Sequence, residues 1–293
     1  IGYRYDGVSQ IQDIVDLKSG KSLWTLRDLY ANGSVREARL GNGAISRKDL
    51  DLKTDRVAME AVTAQDQTLS ISRSYGYDSL GNMLSRRDNV TGVAESFSYD
   101  ALNRLETFTG PALKTVTMSY DSLSRITNRS DIGSYTYGKG CEGGVDSPFV
   151  PKTVGTKSFC SDARGNSIKA GARTIRYDLT DLPIELIEGP KTVRYKYGFG
   201  KTQLSKEEIN GSESTLTRYV GDGFEIEKDK LGERERAYIG DFLIVETEGA
   251  EYREHYLYKD FLGSTLASAD QSGAIIERLD YDPFGQRRKA EDL

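Results

Sequence analysis

The chain contains one histidine, His255, which any Ser-His-Asp or Cys-His catalytic arrangement would have to use. This residue lies in the stretch Tyr252–Tyr258, where the alternation of side chains is typical of a β-strand. No nucleophile motif stands beside it. We therefore interpret His255 as an ordinary strand residue and not as a catalytic base.

A second candidate for chemistry is the glycine-containing stretch Gly198–Thr202, which has the outline of a phosphate-binding loop. The phosphate-loop pattern requires a glycine five residues before Gly200, and that position is Tyr195. No helical pattern follows Thr202. The stretch is better explained as a turn between two strands.

Carboxylate pairs could support glycoside hydrolysis, and the neighbouring acids Glu207-Glu208 and the pair Asp280 and Asp282 are examples. The chain has 45 acidic residues, so such pairs arise by chance. The acids near Asp222-Gly223 and Asp229 do not complete a calcium loop. We predict no catalytic, cofactor-binding or metal-binding residues and expect that the chain is not an enzyme.

Two cysteines, Cys141 and Cys160, flank a glycine- and proline-rich stretch, residues 138–157, that we interpret as an insertion loop. Their spacing fits no zinc pattern. The sequence leaves open whether they form a disulfide. Maturation in a bacterial cytoplasm would keep both thiols reduced, and free thiols are the state that we expect.

These residues are set in a repeated framework, in which a Tyr-Asp pair recurs at a spacing of about twenty residues. The clearest copies are Tyr77–Asn82, Tyr99–Arg104 and Tyr120–Arg125. Weaker copies are Tyr5–Gly7, Ser161–Asn166, Tyr177–Pro183, Tyr219–Gly223, Tyr238–Asp241, Tyr258–Gly263 and Tyr281–Gly285. A period of this length predicts stacked copies of one small structural unit.

The repeat unit is predicted to be a β-hairpin. Phe97 and Tyr99 alternate with polar residues, which is the pattern of a strand with one buried face. Asp100 then begins a polar turn, because its carboxylate can accept backbone N–H groups two or three residues ahead. Asn-Gly and Asp-Gly pairs predict further hairpins at Asn32-Gly33, Asn42-Gly43, Asn210-Gly211 and Asp222-Gly223. The stretch Asp49–Ala64 fits strand alternation at least as well as a helical stripe, and we assign it to strand.

Composition favours a thin, all-β repeat protein. Hydrophobic residues make up 37% of the chain and charged residues 29%, and tyrosine is used 18 times. The net charge is −5 without a basic block, which argues against nucleic acid as a partner. No apolar run is long enough to predict a membrane span.

These motifs together resemble the YD-repeat family, also called Rhs proteins. The stretch Tyr258–Thr265, followed by Leu279–Arg287, resembles the start of the Rhs-associated core. The resemblance implies a fold of repeated antiparallel β-hairpins forming a spiralling sheet that is part or all of a hollow cocoon. It also implies a division into a YD-repeat β-shell, residues 1–257, and the start of the core, residues 258–293.

In bacterial members of the family the core ends in an autoproteolytic segment with paired aspartates. The present sequence ends at Leu293, before those motifs would occur, and it begins inside a repeat. We therefore expect a fragment or a processing product, truncated before the autoproteolytic motif. Asp280 and Asp282 belong to an earlier Tyr-Asp motif, so the resemblance does not assign the protease role to them.

The function implied by the resemblance is structural encapsulation: sequestering a C-terminal toxic effector domain for delivery by a secretion or Tc-type apparatus. The implied partners are that toxin domain as cargo, the remainder of the shell and, as further candidates, secretion spike or chaperone proteins. The protein would reside in the bacterial cytoplasm before delivery and be secreted afterwards. The alternative is a YD-repeat adhesion module that recognises glycans or a cell-surface receptor, as the related animal teneurins suggest.

Overall fold

The computed structural model describes residues 1–111 and 114–288, and strands dominate them. The first thirteen are β1 Gly2–Tyr5, β2 Ile11–Val15, β3 Ser22–Leu29, β4 Val35–Leu40, β5 Ile45–Leu50, β6 Val57–Thr63, β7 Leu69–Tyr77, β8 Met83–Asp88, β9 Ala94–Tyr99, β10 Leu105–Thr109, β11 Thr115–Tyr120, β12 Ile126–Arg129 and β13 Gly133–Tyr137. The others are β14 Pro151–Val154, β15 Lys157–Ser161, β16 Ser167–Ala170, β17 Arg173–Tyr177, β18 Pro183–Glu188, β19 Lys191–Tyr197, β20 Gln203–Asn210, β21 Glu213–Val220, β22 Phe224–Lys228, β23 Glu233–Ile239, β24 Leu243–Glu248, β25 Glu251–Lys259, β26 Thr265–Ala269 and β27 Ile275–Arg278. Within these described ranges, helix is confined to short 3₁₀ turns such as Phe199–Lys201.

Strand pairing follows chain order. Each strand pairs antiparallel with the next from β1 to β10, from β11 to β23 and from β25 to β27. Because neighbours in sequence are neighbours in space, each hairpin can form from local contacts. The predicted all-β class of repeated antiparallel hairpins is confirmed.

The stretch assigned to strand between Asp49 and Ala64 is interrupted. Strand β5 ends at Leu50, residues 51–56 form a turn, and β6 runs from Val57 to Thr63. The predicted Asn-Gly and Asp-Gly hairpins all occur, since they join β3 to β4, β4 to β5, β20 to β21 and β21 to β22.

The repeated aspartate accepts backbone N–H groups in its turn as predicted, although the second bond reaches residue i+4 and not residue i+3. The Asp100 Oδ1 atom accepts the backbone N–H of Leu102 at 2.9 Å and that of Arg104 at 3.0 Å. Asn103 takes the left-handed conformation, with φ 58°, that lets the chain reverse. The same pair of bonds to residues i+2 and i+4 recurs at Asp6, Asp78, Asp121, Asp162, Asp178, Asp260, Asp270 and Asp282.

The repeated tyrosine has a second role that alternation alone does not predict. Tyr99 ends β9, and its hydroxyl donates to the carbonyl oxygen of Met83, the first residue of β8, at 3.0 Å. The hydroxyl therefore fastens the end of one strand to the beginning of the preceding strand. Equivalent bonds join Tyr77 to Val57, Tyr137 to Ile126, Tyr177 to Ser167 and Tyr197 to Pro183.

The chain divides into two compact units. The first comprises Ile1–Thr115, Ile239–Val245 and Arg253–Leu293, and the second comprises Val116–Tyr238 and Glu246–Tyr252. The first unit contains a hydrophobic core, in which Tyr256, Tyr258, Leu23 and Leu243 are fully buried. The prediction that shell and core meet at residues 257 and 258 stays a prediction.

The second unit has little core of its own. Its buried apolar side chains, among the residues that the structure describes, are Val116, Met118 and Cys160. Its other apolar side chains are at most partly buried, so backbone pairing and turn hydrogen bonds contribute to its stability beside this partial burial.

The expectation of free thiols is wrong, because Cys141 and Cys160 form a disulfide, with their Cα atoms 5.5 Å apart. The bond joins the loop after β13 to β15. The pairing of β13 with β14 and of β14 with β15 brings these two cysteines, 19 residues apart in sequence, close together. The predicted insertion loop at 138–157 contains strand β14, so it is shorter than expected.

Candidate functional site

The histidine and the glycine-containing stretch that the sequence offered as candidate sites lie within a strand and within a turn, respectively. His255 is half-buried within β25. The stretch Gly198–Thr202 forms a tight turn between β19 and β20, which agrees with the turn interpretation.

The carboxylates of the two pairs make ion pairs or turn hydrogen bonds. Glu207 and Glu208 are adjacent in β20, so their side chains point to opposite faces of the sheet. Asp280 bonds to two arginines, and Asp282 holds the turn that follows β27. No group of three or more histidine, cysteine or acidic side chains within the described residues is placed to hold a metal ion.

The most specific constellation in the first unit is a buried ionic cluster. Arg73, in β7, is 3% exposed and donates from Nη2 to Asp280 Oδ1 at 2.5 Å. The other oxygen of Asp280 accepts from Arg288 Nη1 at 2.7 Å. Asp280 therefore links two buried guanidinium groups, one of them 207 residues away in sequence.

Two further residues extend this cluster to β8 and β9. Arg288 also contacts Glu95, which is itself bonded by Arg86 Nε at 2.5 Å. Arg86 Nη2 donates to the backbone carbonyl of Tyr281 at 2.8 Å. We call Arg73, Arg86, Glu95, Asp280 and Arg288 the ionic clamp, because they bind the segment after β27 to strands β7–β9.

A buried acid lies beside the clamp. Glu60, in β6, is 4% exposed and accepts a hydrogen bond from the hydroxyl of Tyr75. Burial, partly offset by that hydrogen bond, raises the pKa of Glu60 to about 7. Burial and the neighbouring Glu60 charge also raise the pKa of Tyr75.

Aromatic and amide contacts complete the attachment of the C-terminal strands. The Tyr258 hydroxyl accepts from Asn42 Nδ2 at 3.0 Å within the core. The ring of Phe261 packs edge-on against Tyr75, with centroids 4.8 Å apart. Phe284 contacts Phe108 in the same geometry at 6.3 Å. The motif that resembles the Rhs-associated core is thus packed into the first unit.

In the second unit, charges of alternating sign cross successive strands in register. Arg176, Glu185, Arg194 and Glu207 are direct cross-strand partners on β17 to β20. Glu185 bonds Arg176 at 3.0 Å and Arg194 at 3.1 Å, and these bonds lower the pKa of its carboxyl group. A second group places Arg236 among Glu225, Glu227 and Glu246. Such pairs favour the correct register in a sheet with little core.

Sequence reasoning missed the ionic clamp and one of the turns in which an aspartate bonds to residues i+2 and i+4. Arg73 and Arg86 resemble ordinary exposed strand residues, and no local pattern links them to Asp280. Asp270 was missed because alanine replaces tyrosine before it, although Asp270–Gly273 keeps the spacing of aspartate and glycine seen at Asp78–Gly81.

The chain is similar in sequence to short sections of two much longer proteins. No family model matches the chain. Teneurin-m of Drosophila melanogaster is 23% identical over 310 residues, which cover 97% of this chain and 11% of that protein. The tRNA3(Ser)-specific nuclease WapA of Bacillus spizizenii is 24% identical over 224 residues, covering 72% of this chain and 8% of that protein. The chain therefore spans about a tenth of the curated relatives that it matches.

Solved structures share the fold at low identity. A crystal structure of TcdB2-TccC3-TEV superposes with a TM-score of 0.80 and 16% identity over 97% of this chain and 17% of that one. The Photorhabdus luminescens Tc holotoxin pore gives a TM-score of 0.79 and 15% identity over 97% of this chain and 16% of that one. The recurring Tyr-Asp hairpins and these similarities agree with the resemblance to YD-repeat proteins of the Rhs type that the sequence motifs indicate.

Proposed function

We infer that the chain is a section of the wall of a toxin-associated shell and that it acts as a structural, non-catalytic module. The observation that carries this inference is the contrast between extensive antiparallel hairpin pairing and the small number of buried apolar side chains in the second unit. Such a sheet suits a partition better than a globular domain, because a globular domain must bury an apolar face.

The finer proposal is that this wall helps to form a hollow cocoon around a C-terminal toxic domain until a secretion or Tc-type apparatus delivers it. Its support is the shared fold with structures that contain TccC3, and the likeness to WapA, whose name describes a nuclease. In this proposal the protein is made in the bacterial cytoplasm and is then exported. Its partners are the cargo domain and the rest of the shell, with spike or chaperone proteins as further candidates.

A closed wall has no free sheet edges, which protects it from pairing with other chains. The polar and charged strand faces of the second unit, exemplified by Arg176, Glu185 and Arg194, would contact a guest without offering it a matched apolar surface. A guest held in this way would remain loosely bound and releasable. None of the described helical segments has the length and hydropathy of a membrane-spanning helix.

The test is protease protection of the intact gene product that contains this chain. We expect its C-terminal region to resist trypsin in buffer and to be digested once urea unfolds the wall. An Asp280→Asn variant should expose that region at lower urea than a Glu277→Gln variant, since Asp280 is in the clamp and Glu277 makes an exposed ion pair. A C-terminal region digested at the same rate with and without urea would contradict encapsulation. Saturable binding on a glycan array by the same protein would instead support the adhesion alternative.

A further inference from the structure

The first unit contains a cleft of about 430 Å³ that opens onto its hydrophobic core. Ile14, Leu40 and Val62 form part of its lining and belong to the core cluster. Trp24 and Phe242 also line it and pack against that cluster. An apolar cleft of this size matches one or two large side chains, which would lose their contact with water on entering it.

Cations outnumber acids around this cleft. Arg36, Lys48 and Lys259 line it together with two carboxylates, Asp241 and Asp260. The Asp260 carboxylate already accepts backbone N–H groups in its own turn. Arg36 is already paired with Asp28 at 3.0 Å and lies 3.7 Å from Asp49, so the cations left for a ligand are Lys48 and Lys259.

The two lysines have spare bonding capacity. Within the described part of the chain, Lys48 and Lys259 have no carboxylate within ion-pair distance. Arg36 Nη1 is paired with Asp28, and its buried Nε atom lies 3.7 Å from Asp49 Oδ1, which is too far for a hydrogen bond. A buried donor without an acceptor is costly, so a group that accepts from it would be favoured. A carboxylate beside the apolar cleft would meet that need.

We propose that this cleft binds an extended polypeptide segment in which a large apolar side chain stands beside an acidic one. This inference rests on the proposed function, because it names the chemistry by which the first unit would bind one segment of the guest, in addition to the loose polar contacts proposed for the second unit. The apolar side chain enters between Trp24 and Phe242, and the acidic one reaches Lys48 and Lys259. Gln10 and Ser46, which also line the cleft, supply polar groups for the peptide backbone.

Trp24 makes the proposal directly testable, since it is the only tryptophan in the chain and it lines the cleft. The probe is the peptide acetyl-Gly-Ser-Phe-Asp-Ser-Gly-amide, titrated into the full chain at low salt while Trp24 emission is recorded. We expect a saturable shift of the emission. A matched peptide with Ala in place of Phe should give no shift, and one with Asn in place of Asp should bind about fivefold more weakly.

Variants of the protein test the same contacts from the other side. Ser46→Leu, which adds volume inside the cleft, should abolish the shift. The double change Lys48→Gln and Lys259→Gln should weaken binding of the acidic peptide about fivefold and leave the Asn peptide unaffected. Lys53→Gln is the matched control, because Lys53 is exposed in the turn between β5 and β6 and does not line the cleft.

The proposal is overturned if the Phe-Asp peptide leaves Trp24 emission unchanged, or if the Ala and Asn peptides bind as tightly as the Phe-Asp peptide. These peptide comparisons use the unaltered protein, so they stand even if Ser46→Leu fails to fold. Peptide binding without protease protection would support the proposed binding cleft and refute encapsulation. Protease protection without peptide binding would support encapsulation and refute the proposed binding cleft.

Discussion

Replacing Asp280 by asparagine tests whether the ionic clamp holds the first unit together. The substitution keeps the size of the side chain but removes the charge that faces Arg73 at 2.5 Å and Arg288 at 2.7 Å. The side chains of these two arginines are 3% and 10% exposed. After the change, the Asp260 carboxylate at 4.0 Å is the nearest acid that the structure pairs with Arg73.

The expected loss follows from the burial of the stranded charges. Breaking a buried pair by removing one partner costs about 3–5 kcal/mol, because an uncompensated charge stays in the interior. The amide oxygen of asparagine can still accept one hydrogen bond, so we expect about 3 kcal/mol. With a urea dependence of about 2 kcal/mol per molar, the unfolding midpoint should fall by about 1.5 M.

Urea unfolding followed by Trp24 emission is the suitable assay, since this tryptophan lies in the same unit as the clamp. Glu277→Gln is the matched control, because Glu277 pairs with Arg287 at 2.6 Å at positions about half exposed. That change should cost less than about 1 kcal/mol. Equal midpoints for the two variants would refute the argument that burial of the clamp contributes to stability.

Three further outcomes are expected. The pKa of Glu60, raised by burial to about 7 from its usual 4.5, means that its contribution to stability is fully present below pH 4.5 and is lost as the pH rises through 7. The urea midpoint should therefore decrease less between about pH 5 and about pH 8 in the Glu60→Gln variant than in the unaltered protein. An equal decrease in both would show that other groups cause it. Tyr99→Phe should lose the hydrogen bond to the Met83 carbonyl, lower the unfolding free energy by about 1 kcal/mol and speed amide exchange in β8 and β9; unchanged exchange would contradict the fastening role. Mass spectrometry after alkylation without reductant should find neither Cys141 nor Cys160 modified, whereas modification of both would contradict the disulfide.

The turns could be predicted from sequence because their causes are local. Asp100 bonds to backbone groups two and four residues ahead, and Asn103 supplies the left-handed position within the same turn. The strand that leads into the turn is equally visible, since Phe97 and Tyr99 alternate with polar neighbours. Period and turn chemistry together were sufficient to predict antiparallel hairpins.

The clamp could not be predicted in this way, because its partners lie far apart in sequence. Arg73 and Asp280 meet only after the segment following β27 has packed against β7. The disulfide was missed for a related reason: the choice rested on the expected compartment, whereas pairing depends on the path that places β15 beside the loop after β13. Local sequence patterns predict each hairpin, but they do not predict that the segment after β27 packs against β7.

The tyrosine hydroxyl bonds have a consequence for how such a chain can change in length. Each bond, as from Tyr197 to the carbonyl of Pro183, stays within one pair of adjacent strands. Hence a duplicated or deleted hairpin would carry its own fastening with it and leave the next pair intact. Evolution could therefore enlarge or reduce such a structure in steps of a single two-stranded unit, without redesigning a shared interior.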